Sequence, residues 1–267
     1  MNVDRRRFLV GVGTGAAVGI AGCTGEDDGQ PFDDADWRDG EELDIETLAE
    51  RHTETLVDSS GVTLFSTAET THDGDAEPSP WLPTQTYESR YDLENERQYV
   101  RQEIPGDAET EVSELYVADG EALFRQAVGE TVQYDRQSVE RSLDELTETM
   151  RDEVVTGIRV EGATEAGEAE FEGLNLWNPT TDGESEIRGE STARFTSETF
   201  DGDRNIPATV ETASATVYVL ESAVVPRLEQ SWEGEHDGQQ AEVDVDIDYR
   251  DPGTEIAEPD WAPEARE

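Results

Sequence analysis

Apolar residues recur along this chain with two different periods, and the switches between them mark the elements. From Asp44, which suits a helix N-cap, Ile45, Leu48, Ala49, His52 and Leu56 fall three or four apart, so one helical face is predicted up to Ser59, Ser60 and Gly61. Past Val62 the period becomes two. Residues 62–71, 85–93, 97–104, 111–118, 122–127 and 131–134 are rich in Thr, Val, Tyr and Phe. Turn chemistry bounds them at His72-Asp73-Gly74, Pro105-Gly106-Asp107 and Asp119-Gly120. These read as an antiparallel meander. Its clearest hairpin is at Asp119-Gly120, a pair that tolerates the positive φ angles of a type I′ turn. Pro78, Pro80, Trp81 and Pro83 mark an irregular insert.

A second helix is predicted after Ser138, its candidate cap. Val139, Leu143, Leu146, Met150 and Val154 make one apolar stripe, which needs the inner face of a sheet to cover. A second run of strands follows over 158–162, 168–177, 186–195, 208–220, 224–232 and 239–249, with Asp182-Gly183, Asp201-Gly202 and Asp237-Gly238 as turns. In the last strand Val243, Val245, Ile247 and Tyr249 point one way and Glu242, Asp244, Asp246 and Asp248 the other, as a sheet with one covered face requires. The pattern therefore predicts an α+β fold built on antiparallel sheet.

The first 23 residues read differently. Arg5 and Arg6, then Phe8 and Leu9, resemble a twin-arginine export signal, and Ile20-Ala21-Gly22-Cys23 resembles a lipobox. The uncharged segment between them is about a dozen residues long, short of the ~20 needed to span a bilayer. A leader over 1–22 is expected, with Cys23 receiving the lipid on its thiol. One acyl chain holds a protein only marginally, so a two-chain anchor is implied. Residues 23–43, acidic and Gly-rich, are expected to form a flexible tether, leaving 44–267 as a single domain.

Charge changes the picture more than any motif. The chain has 66 acidic residues against 19 basic ones, all of them arginine, for a net charge of -47. Such acidity on a chain with ordered strand periodicity fits a protein kept soluble in concentrated salt, and the composition resembles that of halophilic archaea. It argues against nucleic acid as a partner. Cys23 is the sole cysteine, so no internal disulfide forms and the fold rests on its core.

The order helix, strands, helix, strands behind an export leader resembles the LolA/LppX lipoprotein fold, a curved antiparallel half-barrel with helices on its concave face. A closer resemblance is to uncharacterised haloarchaeal lipoproteins. It is carried by His52-Thr53-Glu54-Thr55-Leu56, by Tyr116-Val117-Ala118-Asp119-Gly120, and by Tyr249, Gly253, Thr254, Pro259, Trp261 and Ala265 in the C-terminal stretch. The resemblance implies a hydrophobic cavity for a lipid or other apolar small molecule, with the stripe Val139, Leu143, Leu146, Met150 and Val154 as its cover, and a membrane partner through the lipid on Cys23.

No catalytic constellation is nominated. His52, His72 and His236 have no metal-binding spacing, a lone cysteine rules out a multi-thiolate zinc site, and GxSxG, Walker A and GxGxxG motifs are missing outside the leader. Neither a cofactor nor a metal is expected, and the chain is not expected to be an enzyme. Trp81, Trp177, Trp232 and Trp261 sit near turns, where they either cap the core or line the lip of a cavity. Two functions remain: a binding protein with an apolar cavity, or an envelope interaction module with a solid core.

Overall fold

The computed structural model describes residue 32 and residues 34–72, 84–106, 108–158, 173–200, 209–236 and 239–267. Arg5, Arg6, Phe8, Leu9 and Cys23, the rest of the expected tether up to residue 31 with residue 33, and the insert with Trp81 lie outside the described residues.

The elements run β1 (Arg38–Asp39), β2 (Glu42–Leu43), α1 (Ile45–Asp58), β3 (Gly61–His72), β4 (Gln85–Asp92), β5 (Arg97–Ile104), β6 (Glu111–Ala118), β7 (Glu121–Val128) and β8 (Thr131–Ser138). There follow α2 (Leu143–Ile158), a 3-10 turn (Leu174–Leu176), β9 (Thr180–Ile187), β10 (Glu190–Ser197), β11 (Thr209–Val219), β12 (Arg227–His236), β13 (Gln239–Arg250) and α3 (Ala262–Ala265). Among the described residues thirteen strands join one open, curved antiparallel sheet in the order β1-β2-β9-β10-β11-β12-β13-β3-β4-β5-β6-β7-β8. The two strand runs of the sequence are thus one sheet. The last strand returns to pair with β3 over ten residue pairs, from Ala241 with His72 to Arg250 with Thr63.

Directly opposed residues share a face, so the register carries one face across the sheet. Phe195, Val217, Leu228, Ile247, Ser66 and Tyr87 form one such row. Over β10–β13, β3 and β4 this face is the main core. Leu48 and Leu56 of α1 and Leu146, Met150 and Val154 of α2 belong to the same cluster, as do Trp37 and Trp177. Beyond β4 the same row turns polar, through Gln102, Ser113, Gln126 and Gln133. There a further set of buried residues lies on the opposite face. Tyr116, Ala118 and Leu123 form a second, smaller core with Ile256, Ala262 and Ala265, and Tyr99 and Trp261 pack against it.

Local chemistry explains most boundaries. Asp44 caps α1 by accepting from the Thr47 N–H at 3.0 Å. Asp119 and Gly120 both have positive φ, 52° and 78°, as the predicted hairpin requires. Gly61 admits no side chain, since a Cβ there would lie 2.4 Å from the Tyr91 carbonyl oxygen.

Elsewhere the structure departs from expectation. α2 is capped by Ser142 rather than Ser138. Ser142 and Glu145 form a reciprocal capping box, in which each backbone N–H donates to the other's side chain, while Ser138 stays in β8 opposite Glu121. Asp182-Gly183 is no turn. The two residues sit inside β9 where the register skips between Ala193 and Phe195, and Arg194 binds the Asp182 carboxylate. The turn is at Arg188-Gly189, with φ of 55° and 86°. Residue 158 ends α2, and the described end of the 168–177 stretch is the 3-10 turn. The folded part also begins before residue 44: Trp37 and Leu43 are buried, and β1 and β2 extend the sheet. Two-residue strands are too short to have a period.

Candidate functional site

Strand β4 carries Tyr87, Ser89 and Tyr91 at alternate positions, which puts all three side chains on the face that α2 covers. On α2, Leu146, Met150 and Val154 are buried against the core. Leu143 is 42% exposed at the start of the helix, and Val139 precedes it, its N–H donating to the Gly120 carbonyl at 2.9 Å. The predicted stripe therefore divides: three of its members pack and two lie at or before the helix start.

Glu153 stands beside that stripe, three residues after Met150. Its Oε1 accepts from the Tyr87 hydroxyl at 2.9 Å, and its Oε2 accepts from Ser89 at 3.1 Å and from the Tyr91 hydroxyl. Tyr91, fully buried, also accepts from Gln98 Nε2 at 3.1 Å, and Gln98 Oε1 in turn accepts from Arg141 at 2.6 Å. A polar chain thus runs from Arg141 through Gln98 and Tyr91 to Glu153. Burial, reinforced by the Glu153 charge, pushes the Tyr91 hydroxyl far above its ordinary pKa, so it remains a donor.

Between α2 and strands β3, β4, β5 and β13 lies a cleft of about 610 Å³. Leu64, Tyr87, Ile247 and Tyr249 give it apolar surface, while Ser66, Gln85, Gln102, Thr149, Asp152 and Glu153 give it polar groups. Gln102 donates to Gln85 at 2.7 Å, and the Tyr249 hydroxyl donates to the Val154 carbonyl at 3.2 Å, tying the sheet to the helix. From its edge an apolar lane runs outward on the same face: Val100 is opposite Ser89, Leu115 opposite Val100, and Phe124 opposite Leu115. All three are only half-buried. A smaller cleft of about 280 Å³ lies at the far end of the polar chain, lined by Arg141 with Glu94, Glu96 and Asp119.

His52 is not at this site. It is fully buried in α1, its Nδ1 accepts from the Val225 N–H at 3.1 Å, and its ring packs edge-to-face with Tyr249, centroids 4.5 Å apart. Burial pulls its pKa down to about 3, so it is neutral. Trp177 and Trp232 are buried with Phe200 in the core and form no lip, whereas Trp261 stacks on Tyr134 and donates to Glu114 at 3.0 Å. Among the described residues no group of three or more His, Cys, Asp or Glu side chains is arranged to hold a metal, and no helix is long and apolar enough to cross a membrane.

Sequence reasoning missed Glu153, Tyr87 and Tyr91. The available signal was a glutamate seven residues after Leu146 and three after Met150, a position where the stripe calls for an apolar residue.

No family model matches the chain, and no curated protein matches it either. Among solved structures it is similar to lipoprotein LppX of Mycobacterium tuberculosis, with 13% identity over 80% of this chain and 97% of that one and a TM-score of 0.40. It is also similar to a DUF1329 family protein of Desulfovibrio piger (9% identity, 82% and 95%, TM-score 0.25) and to the ywiB protein of Bacillus subtilis (12% identity, 72% and 93%, TM-score 0.18).

Proposed function

We propose that the chain is an exported, lipid-anchored protein without catalytic activity that takes a lipid or other apolar molecule between α2 and the concave face of its half-barrel sheet. The observation that carries this reading is the cleft of about 610 Å³ with the apolar lane Val100, Leu115 and Phe124 leading out of it, a volume in the range of small-molecule sites. A solid interaction module has no use for such a space. The twin-arginine pattern at Arg5 and Arg6 supports export of a folded protein, and Cys23 supports a membrane anchor at the extracytoplasmic face. α2 acts as the cover: its buried residues hold one edge and its Leu143 end is free of the core.

Saturable fluorescence enhancement of a long-chain apolar probe by the full chain, stripped of co-purifying lipid in molar NaCl, is the expected result. Failure with every probe length defeats the binding reading. Cys23→Ser is expected to move the chain from the membrane to the soluble fraction without changing that binding; retention in the membrane defeats the anchor.

A further inference from the structure

We infer that two copies of this chain pair edge to edge through β8, antiparallel about a two-fold axis at Tyr134, so that the two sheets continue as one. β8 ends the sheet. Its residues Thr131–Ser138 are all exposed, and they pair with β7 from Val128 opposite Thr131 to Glu121 opposite Ser138 without a register shift. Such an edge offers a row of backbone donors and acceptors to another strand, and the usual protections are a proline, a bulge, lysines or a very short strand. β8 has none of these, and its two charges, Asp135 and Arg136, are opposite in sign. The large apolar side chains left exposed gather here as well. Among the described residues they are Val128, Val132, Tyr134 and Leu143, which lie on β8, at the end of the strand it pairs with, and shortly after it.

Charge and register make a second copy the occupant. At a net charge of -47 two copies repel, but beside β8 arginines hold the acids: Arg136 and Arg266 both bind Glu121, Arg266 also binds Glu258, and Arg125 binds Glu114. A two-fold axis normal to the sheet keeps each face continuous, so it passes through a residue that meets its own copy; an axis between two residues would oppose side chains of different faces. Centred on Asp135 or on Arg136, it opposes like charges. Centred on Gln133, it aligns residues 131–135 alone and drives the end of β8 against the β7–β8 turn. Centred on Tyr134, it aligns residues 131–137 of both copies: Tyr134 meets Tyr134, Val132 meets Arg136, Gln133 meets Asp135 and Thr131 meets Gln137. No like charges are then opposed. Tyr134 lies on the face of the second core, where Trp261 stacks on it with ring centroids 6.4 Å apart, so the paired tyrosines are flanked by the two tryptophans.

The contact is one strand wide, so a dimer that dissociates in the micromolar range is expected. Sedimentation velocity of the full chain carrying Cys23→Ser, in molar NaCl at about 1 to about 100 μM protein, is expected to shift from the monomer mass of 29.5 kDa toward twice that value. A mass that stays at the monomer value throughout overturns the proposal. Register is read by oxidation. On the same background Tyr134→Cys brings two Cα atoms to about 5 Å across the axis, within disulfide reach, whereas Val132→Cys leaves them roughly 13 Å apart. Tyr134→Cys is expected to form the covalent dimer at least about tenfold faster than Val132→Cys. Equal rates, or a faster reaction at 132, overturn the β8 pairing even in a chain that self-associates. If circular dichroism shows that Tyr134→Cys does not fold, a mixture of Gln133→Cys and Asp135→Cys chains decides, since these positions face each other in the same register. An excess of mixed over like dimers supports the pairing, and its absence overturns it.

Discussion

The two ends of the sheet solve the problem of covering a long strand array differently. Over β10–β13, β3 and β4 the apolar side chains point to the face that α1 and α2 occupy. Over β5–β8 the second core, with Tyr116, Ala118 and Leu123, lies on the opposite face, where the C-terminal stretch with α3 packs against it, while Val100, Leu115 and Phe124 stay half-buried on the first face. The outer surfaces differ too. Opposed acids line β12, β13 and β3: Glu242 faces Glu233 and Asp244 faces Glu69, while the facing acids Asp246 and Glu229 share Arg227. On β6–β8 the acids are matched, with Arg125 on Glu114, Arg136 on Glu121, and Arg266 on both Glu121 and Glu258. Two helices reach only as far as β4. The cleft opens where their cover ends, so the site is a consequence of a sheet longer than its helical cover.

The difference in charge pairing gives the largest expected effect. Lowering NaCl from molar to about 10 mM lengthens the Debye screening length from ~3 Å to ~30 Å, which releases repulsion among acids a few ångströms apart. The β12–β13–β3 region is expected to lose amide-exchange protection first and to take the main core with it, while β6–β8 persists longer. Uniform loss of protection across the sheet breaks the comparison. Unchanged exchange and circular dichroism at low salt break the halophile argument altogether.

Next in size is truncation of the helix cover. Met150→Ala is expected to cost about 2–5 kcal/mol in denaturant unfolding, because Met150 is fully buried and its neighbours on α2 and the sheet cannot all close the gap. A cost below about 1 kcal/mol means that α2 is not packed as a core element.

The helix half also carries a pH dependence of its own, from a buried histidine. His52 has its pKa lowered from 6.5 to about 3 by burial. As pH falls below 6.5 the unfolded chain takes up a proton that the folded chain refuses until about pH 3. The stability it contributes is therefore complete above 6.5 and is lost progressively through that window. Between pH 7.5 and 4.5 the loss is about 2–3 kcal/mol. His52→Asn, whose side-chain oxygen can still accept from the Val225 N–H, is expected to lack this part of the pH slope in unfolding midpoints measured in molar NaCl; an unaltered slope refutes it.

How legible all this was follows from the range of each signal. α1 with its Asp44 cap and the alternation of Val243 to Tyr249 are local, and were readable because neighbouring residues decide them. The β13–β3 pairing that unites the two strand runs joins residues far apart in sequence, and nothing local records it. The tail could not be placed for the same reason: its docking depends on Asp92, which is buried and accepts from the Ile256 N–H at 3.1 Å. Glu153 was hidden by composition. Among 66 acidic residues, one on an apolar stripe looks like the rest until its three hydroxyl partners are seen.

Asp92 gives the matching perturbation of the tail half. Besides Ile256 it accepts from the Asn95 N–H at 3.0 Å, so Asp92→Ala strands two backbone donors. A loss of about 1–3 kcal/mol is expected. Exchange should rise over β5–β8 and residues 251–267 more than over β10–β13. Equal rises in both regions mean that the two cores unfold as one.

The smallest effect separates the members of the α2 stripe. Leu143 and Leu146 both belong to the apolar period read from the sequence, yet the first is 42% exposed and the second 1%. Alanine at 146 empties a packed site. At 143 it removes a side chain that already sits half in water, at a helix start fixed by Ser142 and Glu145 rather than by packing. Leu143→Ala is expected to shift stability by no more than about 0.5 kcal/mol, against about 2–5 kcal/mol for Leu146→Ala. Comparable losses at the two positions show that the first turn of α2 is held as firmly as its middle, and a helix held at both ends cannot lift from the cleft as a cover must.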